Sequence, residues 1–447
     1  MNMKIVITYG TYDLFHFGHQ RLLERAKALG DYLIVGITAD GFDRARGKIN
    51  VQQPLMDRIE NVRATGLADK IVVEEYDGQK IDDIKRYGVD IFTVGDDWAG
   101  KFDYLKEFCD VVYLPRTAGI SSSEIRAEKR EEKLGIVGDS YLVSKIVREG
   151  QYVNGVEIVG VCSTYREILD EDLRDSVPLF DDYDEFLDQC NAVYVLTAPE
   201  THFETIKKAL EKKKHVICES PVTISVKEWD ELDKLARVNS CVLMDGIKTA
   251  YSLAYNRMVL LVKTGKIGDI LSVDSICTSQ AALLNSFDLK RTWNTICSWG
   301  PTALLPIFQL LGNNYKSKYI TSHMSPEKDY FDLFTKIAMV FDHAVASIKI
   351  GQGVKAEGEL IISGTKGYIY VPAPWWKTDY FEIRYEDQSR NKRYFYQLDG
   401  EGIRYELVSF LKCIETGKNF SYVDSSTTRA IVKVVEDYYN KIDFTEI

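Results

Sequence analysis

Short apolar runs that leave into a glycine-punctuated turn and then an amphipathic stretch occur in two series along this 447-residue chain, with a break near residue 130. That alternation constrains the fold more than any other feature, because strands alternating with helices imply a mostly parallel sheet with helices on both faces. Lys4–Thr8 (KIVIT) opens the first series, and Leu22, Leu23, Ala26 and Leu29 recur at helical spacing within the amphipathic stretch Gln20–Leu29. Gly30 ends that helix, and Asp31–Ile37, Lys70–Glu74, Ile91–Val94 and Val111–Leu114 read as further strands. The charged segment Glu124–Lys133 reads as a solvated helix end and linker.

From Leu134 the pattern starts again with LGIVGDS, VEIVGVCS, AVYVLTAPETH and KHVICES, a second doubly wound series of dinucleotide-binding size. After about Gly246 the segments alternate instead, as in FTKIAMVF, AVASIKIG and YIYVPA, which predicts an open, mostly antiparallel sheet carrying one or two helices. The expected architecture is α/β: a Rossmann-like domain over 1–130, a second Rossmann domain over 131–250 and an α+β domain over 251–447. The length agrees, at roughly 150 residues per domain.

Charge and cysteine content narrow the function. Lys and Arg number 56 against 67 Asp and Glu, a net charge of −11, which argues against gripping nucleic acid or anionic membrane through overall charge. No run reaches the ~20 apolar residues of a membrane span, and MNMKIVITYG has no signal-peptide layout. The eight cysteines contain no CxxC pair, so reduced thiols in a cytoplasmic protein are expected, with no protein-held metal.

The most informative cluster is Gly10-Thr11-Tyr12-Asp13-Leu14-Phe15-His16-Phe17-Gly18-His19. Spacing of i, i+3 puts both imidazoles on one face of a helix's first turn, where amides and dipole favour an anion. Imidazole N–H groups aimed at a phosphate would stabilise charge gathering in a displacement reaction. The bland alternative is two surface histidines near a helix start. Arg44, Arg46 and Lys48 form a basic loop after the second strand, and Asp96 and Asp97 follow the fourth. Both fall at the sheet edge where open α/β folds bind ligands. Arg116-Thr117-Ala118-Gly119-Ile120-Ser121-Ser122-Ser123 then opens another helix, with more hydroxyls beside an arginine than capping requires.

The motifs GTYDLFHFGH, GDDWAGKFD and RTAGISSSEIR, in this order over about residues 1–130, closely resemble the glycerol-3-phosphate cytidylyltransferases, nucleotidyltransferases with an HxGH signature. The resemblance implies transfer of CMP from CTP, with Mg²⁺, to a polyol phosphate, giving a CDP-alditol and pyrophosphate for a cell-surface polymer such as teichoic acid or capsule. It implies that His16 and His19 contact the CTP phosphates and that Lys48 binds the triphosphate. Thr11 and Tyr12 would line the nucleotide site and Arg116–Ser123 would close it. Arg46, Lys80 and Asp97 would serve the acceptor. Arg46 stands where the family usually has lysine, so the acceptor's hydrogen-bond geometry changes.

Residues 134–447 resemble the glucose–fructose oxidoreductase and inositol dehydrogenase superfamily through AVYVLTAPETHFETIKKALEKKKHVICESP, GKIGDILSVDS, GTKGYIYVPAPWW and GEGIRYELVSFLKCIETGK. The departures fall on chemistry. The glycine-rich turn reads Gly138-Asp139-Ser140-Tyr141-Leu142-Val143, with Ser140 and Val143 at the second and third glycine positions. The usual Glu-Lys-Pro is Glu219-Ser220-Pro221, and the usual Asp and His (or Tyr) positions align with Ser298 and Thr302. Ser163, Thr164 and Arg166 suit a 2′-phosphate, favouring NADP over NAD. Lys248 could replace the missing lysine, the alternative being a solvated side chain. His202 reads as structural or cofactor-proximal. The expectation is an active cytidylyltransferase fused to an impaired or diverged oxidoreductase-like module, dimeric or larger like both resembled families. A bifunctional enzyme that first reduces a keto- or aldo-sugar phosphate with NADPH is the alternative.

Overall fold

A computed structural model describes residues 3–39, 51, 53–76, 78–115, 132–153, 155–280, 292–327, 330–396, 398 and 400–447. The chain divides into two compact units, residues 1–131 and 132–447.

In the first unit the strands β1 (Ile5–Gly10), β2 (Tyr32–Thr38), β3 (Lys70–Glu74), β4 (Ile91–Gly95) and β5 (Asp110–Leu114) form a parallel sheet in the order β3-β2-β1-β4-β5. Helices α1 (Phe17–Lys27), α2 (Leu55–Ala64) and α3 (Gln79–Tyr87) cover it. Successive strand residues face opposite sides: Val6, Leu33 and Val35 pack with Leu23, Ala26, Ile59 and Val62, while Ile7, Ile34 and Phe92 pack with Ile84 and Leu105. Burial of both faces explains why these strands read as unbroken apolar runs. The strand order reverses between β1 and β4, so their carboxyl ends flank the crevice where such sheets take ligands.

The second unit begins one step earlier than the sequence suggests. Glu132 and Lys133, expected in a linker, are the first residues of β6 (Glu132–Gly138) and pair with Val156 and Glu157. With β7 (Val156–Cys162), β8 (Leu179–Phe180), β9 (Ala192–Leu196), β10 (His215–Glu219) and β11 (Leu243–Gly246) it forms a parallel sheet ordered β11-β10-β9-β6-β7-β8, reversing between β6 and β9. Its helices are α4 (Leu142–Gly150), α5 (Tyr183–Gln189), α6 (His202–Glu211) and α7 (Val226–Val238).

Residues 270–446 contribute a nine-stranded mixed sheet, antiparallel except where Ile270–Thr278 pairs with Val345–Gly351 and Ser317–Met324 with Phe444–Glu446. The expected one or two helices here are four among the described residues: α8 (Leu253–Lys263), α9 (Thr295–Leu311), α10 (Ile403–Thr416) and α11 (Ser425–Tyr439). Helix α9 packs on the mixed sheet, whereas α10 and α11 pack back on α4 and α7 of the parallel layer. Val432 of α11 joins the core of Val193, Val195, Ile206, Val216 and Leu232. All eight cysteines are free thiols, and no described helix is long and apolar enough to cross a membrane.

Candidate active site

The turn after β1 is built by backbone that few side chains tolerate. Tyr12 (φ 53°) and Leu14 (φ 47°) both sit in the left-handed region, each costing about 1–3 kcal/mol. Helix α1 therefore starts at Phe17, a turn earlier than the apolar spacing predicts, with His16 as its N-cap. His16 Nδ1 accepts from the Gly18 amide at 3.0 Å, and His19 Nδ1 accepts from the His16 amide at 3.4 Å. The rings stack with centroids 4.0 Å apart and planes 25° apart. An imidazole that accepts at Nδ1 carries its proton on Nε2 when neutral, so the caps set the tautomer of both rings. Part of the amide array expected to meet an anion is thus spent on the imidazoles.

A buried arginine that no motif announced holds this turn. Arg58 of α2 is fully buried, and its Nη1 donates to the carbonyls of Thr11 (2.7 Å) and Thr38 (2.9 Å) while Nε donates to that of Gln53 (3.1 Å). One guanidinium therefore joins the segment after β1 and the last residue of β2 to the start of α2, at the crevice. Its signal was a charge inside the apolar stripe of Leu55, Ile59 and Val62. Asp13, also buried, accepts from the Gln53 amide at 2.9 Å. Thr11 borders the turn, its hydroxyl 3.4 Å from that of Thr38. Tyr12 is buried against His19, ring centroids 5.5 Å apart, so it supports the histidine where a nucleotide-lining position was expected.

Lys80 likewise departs from expectation. It is buried, ion-paired with Glu74 at the end of β3, with its ammonium 4.7 Å from the Tyr9 ring centroid, and it is not an open acceptor group. Asp96–Trp98 forms a 3₁₀ turn at the end of β4, which puts the Asp97 backbone at the crevice; its side chain lies outside the described residues. Arg44, Arg46, Lys48 and the whole of Arg116, Thr117, Ala118, Gly119, Ile120, Ser121, Ser122 and Ser123 lie outside them too. Among the described residues no group of three or more His, Cys, Asp or Glu is arranged to hold a metal.

The equivalent turn of the second unit keeps the backbone path and changes its contents. Gly138 has φ 132°, and a Cβ there would run into the Leu196 backbone of β9, so only glycine fits. Ser140 Oγ, however, accepts from the Leu142 amide at 3.3 Å, and the Val143 amide donates to the Ser140 carbonyl at 3.0 Å. Two amides at the start of this helix are thus already engaged within the turn. Ser163 Oγ donates to the Asp139 carboxylate at 2.5 Å, placing a negative charge beside the position expected to welcome a 2′-phosphate. Arg166 lies in the 3₁₀ turn Arg166–Ile168, and its side chain is outside the described residues. These side chains do not form a ready cradle for NAD or NADP.

Around the Glu-Ser-Pro turn the structure assembles groups that no spacing announced. Tyr194 Oη donates to Glu406 of α10 at 2.7 Å and lies 3.4 Å from Glu219. Burial, then the charge of Glu219, pushes the Glu406 carboxyl up to about 8. Burial raises Glu219 to about 7 against the pull of Lys248. Lys248 is not the solvated lysine of the plainer reading: its ammonium lies 3.4 Å from Glu401 and stays charged, because Glu219, Tyr141 and Glu401 outweigh its burial. Ser298 Oγ donates to the Trp293 carbonyl at 3.2 Å. His202 is buried, its ring nitrogens 2.9 and 2.8 Å from the Pro221 and Thr197 carbonyls, a structural role.

Residues 7–128 match the cytidylyltransferase-like family, and residues 133–247 match the oxidoreductase family with an NAD-binding Rossmann fold. The chain is 50% identical over 126 residues to glycerol-3-phosphate cytidylyltransferase of Bacillus spizizenii, covering 28% of this chain and 97% of that one. It is 46% identical over 130 residues to the enzyme of the same name from Staphylococcus aureus, covering 28% and 95%. A 3-ketoreductase from Actinomadura kijaniata, solved in complex with NADP and TDP-benzene, shares the fold with a TM-score of 0.62 at 15% identity over 71% of this chain and 99% of that one. With a HxGH turn at the first switch point and a Rossmann sheet in the second unit, the chain belongs to the cytidylyltransferase-like family: it is a nucleotidyltransferase carrying an oxidoreductase-family module.

Proposed function

We propose that the first unit transfers CMP from CTP to a polyol phosphate such as glycerol 3-phosphate, releasing pyrophosphate and a CDP-alditol for cell-surface polymers such as teichoic acid or capsule. The observation that carries this reading is the stacked His16–His19 pair at the β1/β4 crevice, each Nδ1 committed to backbone. The two Nε2–H groups then serve as donors to phosphate oxygens, and their hydrogen bonds strengthen as charge builds on the α-phosphorus. The acceptor phosphate attacks in line and pyrophosphate leaves, so catalysis is positioning plus electrostatic stabilisation. Magnesium on the triphosphate supplies charge neutralisation. Arg58 keeps the turn in register, while Lys48, Arg46, Asp97 and Arg116–Ser123 complete the nucleotide and acceptor sites by resemblance.

The protein acts in the cytoplasm as a homodimer or larger assembly, and its second unit is diverged as a redox enzyme. The Ser140 and Asp139 contacts at the Rossmann turn support that divergence. The buried, charged Lys248 beside Glu219 favours the second reading, in which this unit reduces a sugar phosphate with NADPH. Incubation with CTP, Mg²⁺ and a panel of polyol phosphates, assayed for pyrophosphate, tests the transferase; no release with any acceptor overturns it. NADPH titration followed by fluorescence tests the redox reading.

A further inference from the structure

Three ammonium groups from three separate elements converge on a single carboxylate in the second unit. Lys145 of α4, Lys248 after β11 and Lys377 in the 3₁₀ turn Trp375–Lys377 lie 3.3, 3.4 and 3.2 Å from Glu401. Burial works against ionisation of Glu401, and Lys248, Lys377 and Lys145 overcome it, holding the carboxyl at about 2. The carboxylate is carried on a turn of three consecutive left-handed residues, Gly400 (φ 63°), Glu401 (φ 52°) and Gly402 (φ 96°). A non-glycine residue held there costs about 1–3 kcal/mol unless its contacts offset it.

The local charge does not cancel. Arg404 pairs with Glu149 at 2.7 Å, and the other described carboxyls that act on Lys248, Glu219 and Glu406, are both pushed up by burial, so they offset the ammoniums less than Glu401 does. Side chains of Lys145 and Lys377 are 40% exposed and that of Glu401 31%, so the cluster is open to solvent on one side, while Lys248 at 18% forms its floor. A half-buried excess of ammonium groups attracts an anion more strongly than a fully solvated one does.

We propose that Lys145, Lys248 and Lys377 form a binding site for the phosphomonoester of a small polyol or sugar, and that Glu401 occupies it until the ligand arrives. A phosphomonoester dianion offers three terminal oxygens to three ammoniums and matches their charge better than one carboxylate does. A pyrophosphate within a dinucleotide presents only two terminal oxygens and one charge per phosphorus. The Tyr141 ring centroid lies 5.6 Å from the Lys145 ammonium, and the Glu219 carboxyl is close enough to act on Lys248; a phenol and a carboxyl both hydrogen-bond to polyol hydroxyls. The proposal stands apart from the transfer reaction of the first unit.

The test acylates lysines of the full chain and reads each position by mass spectrometry, so phosphate bound in the first unit does not enter the readout. Inorganic phosphate and glycerol 3-phosphate are expected to slow modification of Lys145 and Lys377 severalfold. Glu401→Gln is expected to lower the half-protecting concentration about tenfold, because the anion no longer displaces a carboxylate. Lys377→Gln is expected to raise it about tenfold at Lys145. Absence of protection by either probe, in the natural chain and in Glu401→Gln alike, overturns the site. Protection by NADP at lower concentration than by glycerol 3-phosphate overturns the monoester assignment.

Discussion

The two parallel sheets of this chain reverse their strand order at equivalent places, between β1 and β4 and between β6 and β9, and each opens a crevice there. In the first, the turn leaving the sheet is strained and directs two imidazoles whose inner nitrogens are held by backbone. In the second, the turn keeps its obligatory glycine but fills the space above it with Ser140 and Asp139. Topology makes the same crevice twice; the few side chains on the first turn are what differ between the two.

The comparison breaks most sharply at the histidines. Replacing His16 and His19 together with alanine is expected to lower kcat for pyrophosphate release by about 10³ or more. Unchanged turnover would put the chemistry elsewhere. Arg58→Met leaves three carbonyls of the first crevice without their donor and should destabilise that unit by about 3 kcal/mol. Faster amide exchange in β1 and β2, read by mass spectrometry on the full chain, checks it. Gly138→Ala forces a Cβ against the Leu196 backbone and should cost the second unit about 2 kcal/mol. Five of the six tryptophans lie in that unit, so denaturant unfolding followed by fluorescence reports it.

The second crevice also has a pH signature. Glu406 and Glu219 titrate near 8 and 7 when folded, above the ordinary 4.5, so the folded state binds more protons than the unfolded chain across this window. Stability contributed by the neutral carboxyls is present below about 4.5 and lost as pH rises through 7 to 8. Glu401 works the other way and loses its contribution only as pH falls from 4.5 towards 2. Glu406→Gln, which still accepts from Tyr194, should flatten the decline between pH 5 and 8; an unchanged slope would reject the assignment. The smallest expected effect is at the second turn: Asp139→Asn with Ser140→Gly should tighten NADPH binding about tenfold by titration, by freeing the Leu142 amide and removing the charge.

Much of this was legible in the residues. Apolar runs located nine of the eleven strands of the two parallel sheets, all but Leu179–Phe180 and Leu243–Gly246, because burial on both faces leaves a continuous signal. The two-residue strand Leu179–Phe180 was too short to show a period. The histidine pair was readable because its spacing is local. The ion pair of Lys80 with Glu74 was not legible, because the fold brings the start of α3 and the end of β3 together. Arg58 was hidden for the opposite reason: a charge in an apolar stripe reads as surface until three backbone carbonyls are seen to surround it. The Glu401 cluster draws on residues 145, 248, 377 and 401, and no window along the chain could join them.

Helix α11 closes the interior beneath the second parallel sheet with Val432, almost three hundred residues after β6 begins. During synthesis, then, the strands of residues 132–246 emerge long before the segment that seals their core, and a ribosome adding roughly 5–20 residues per second leaves that surface waiting for several seconds or more. Among the described residues both cores of the first unit draw on nothing later than Leu114, so they can close while the core of the second still waits for its last helix.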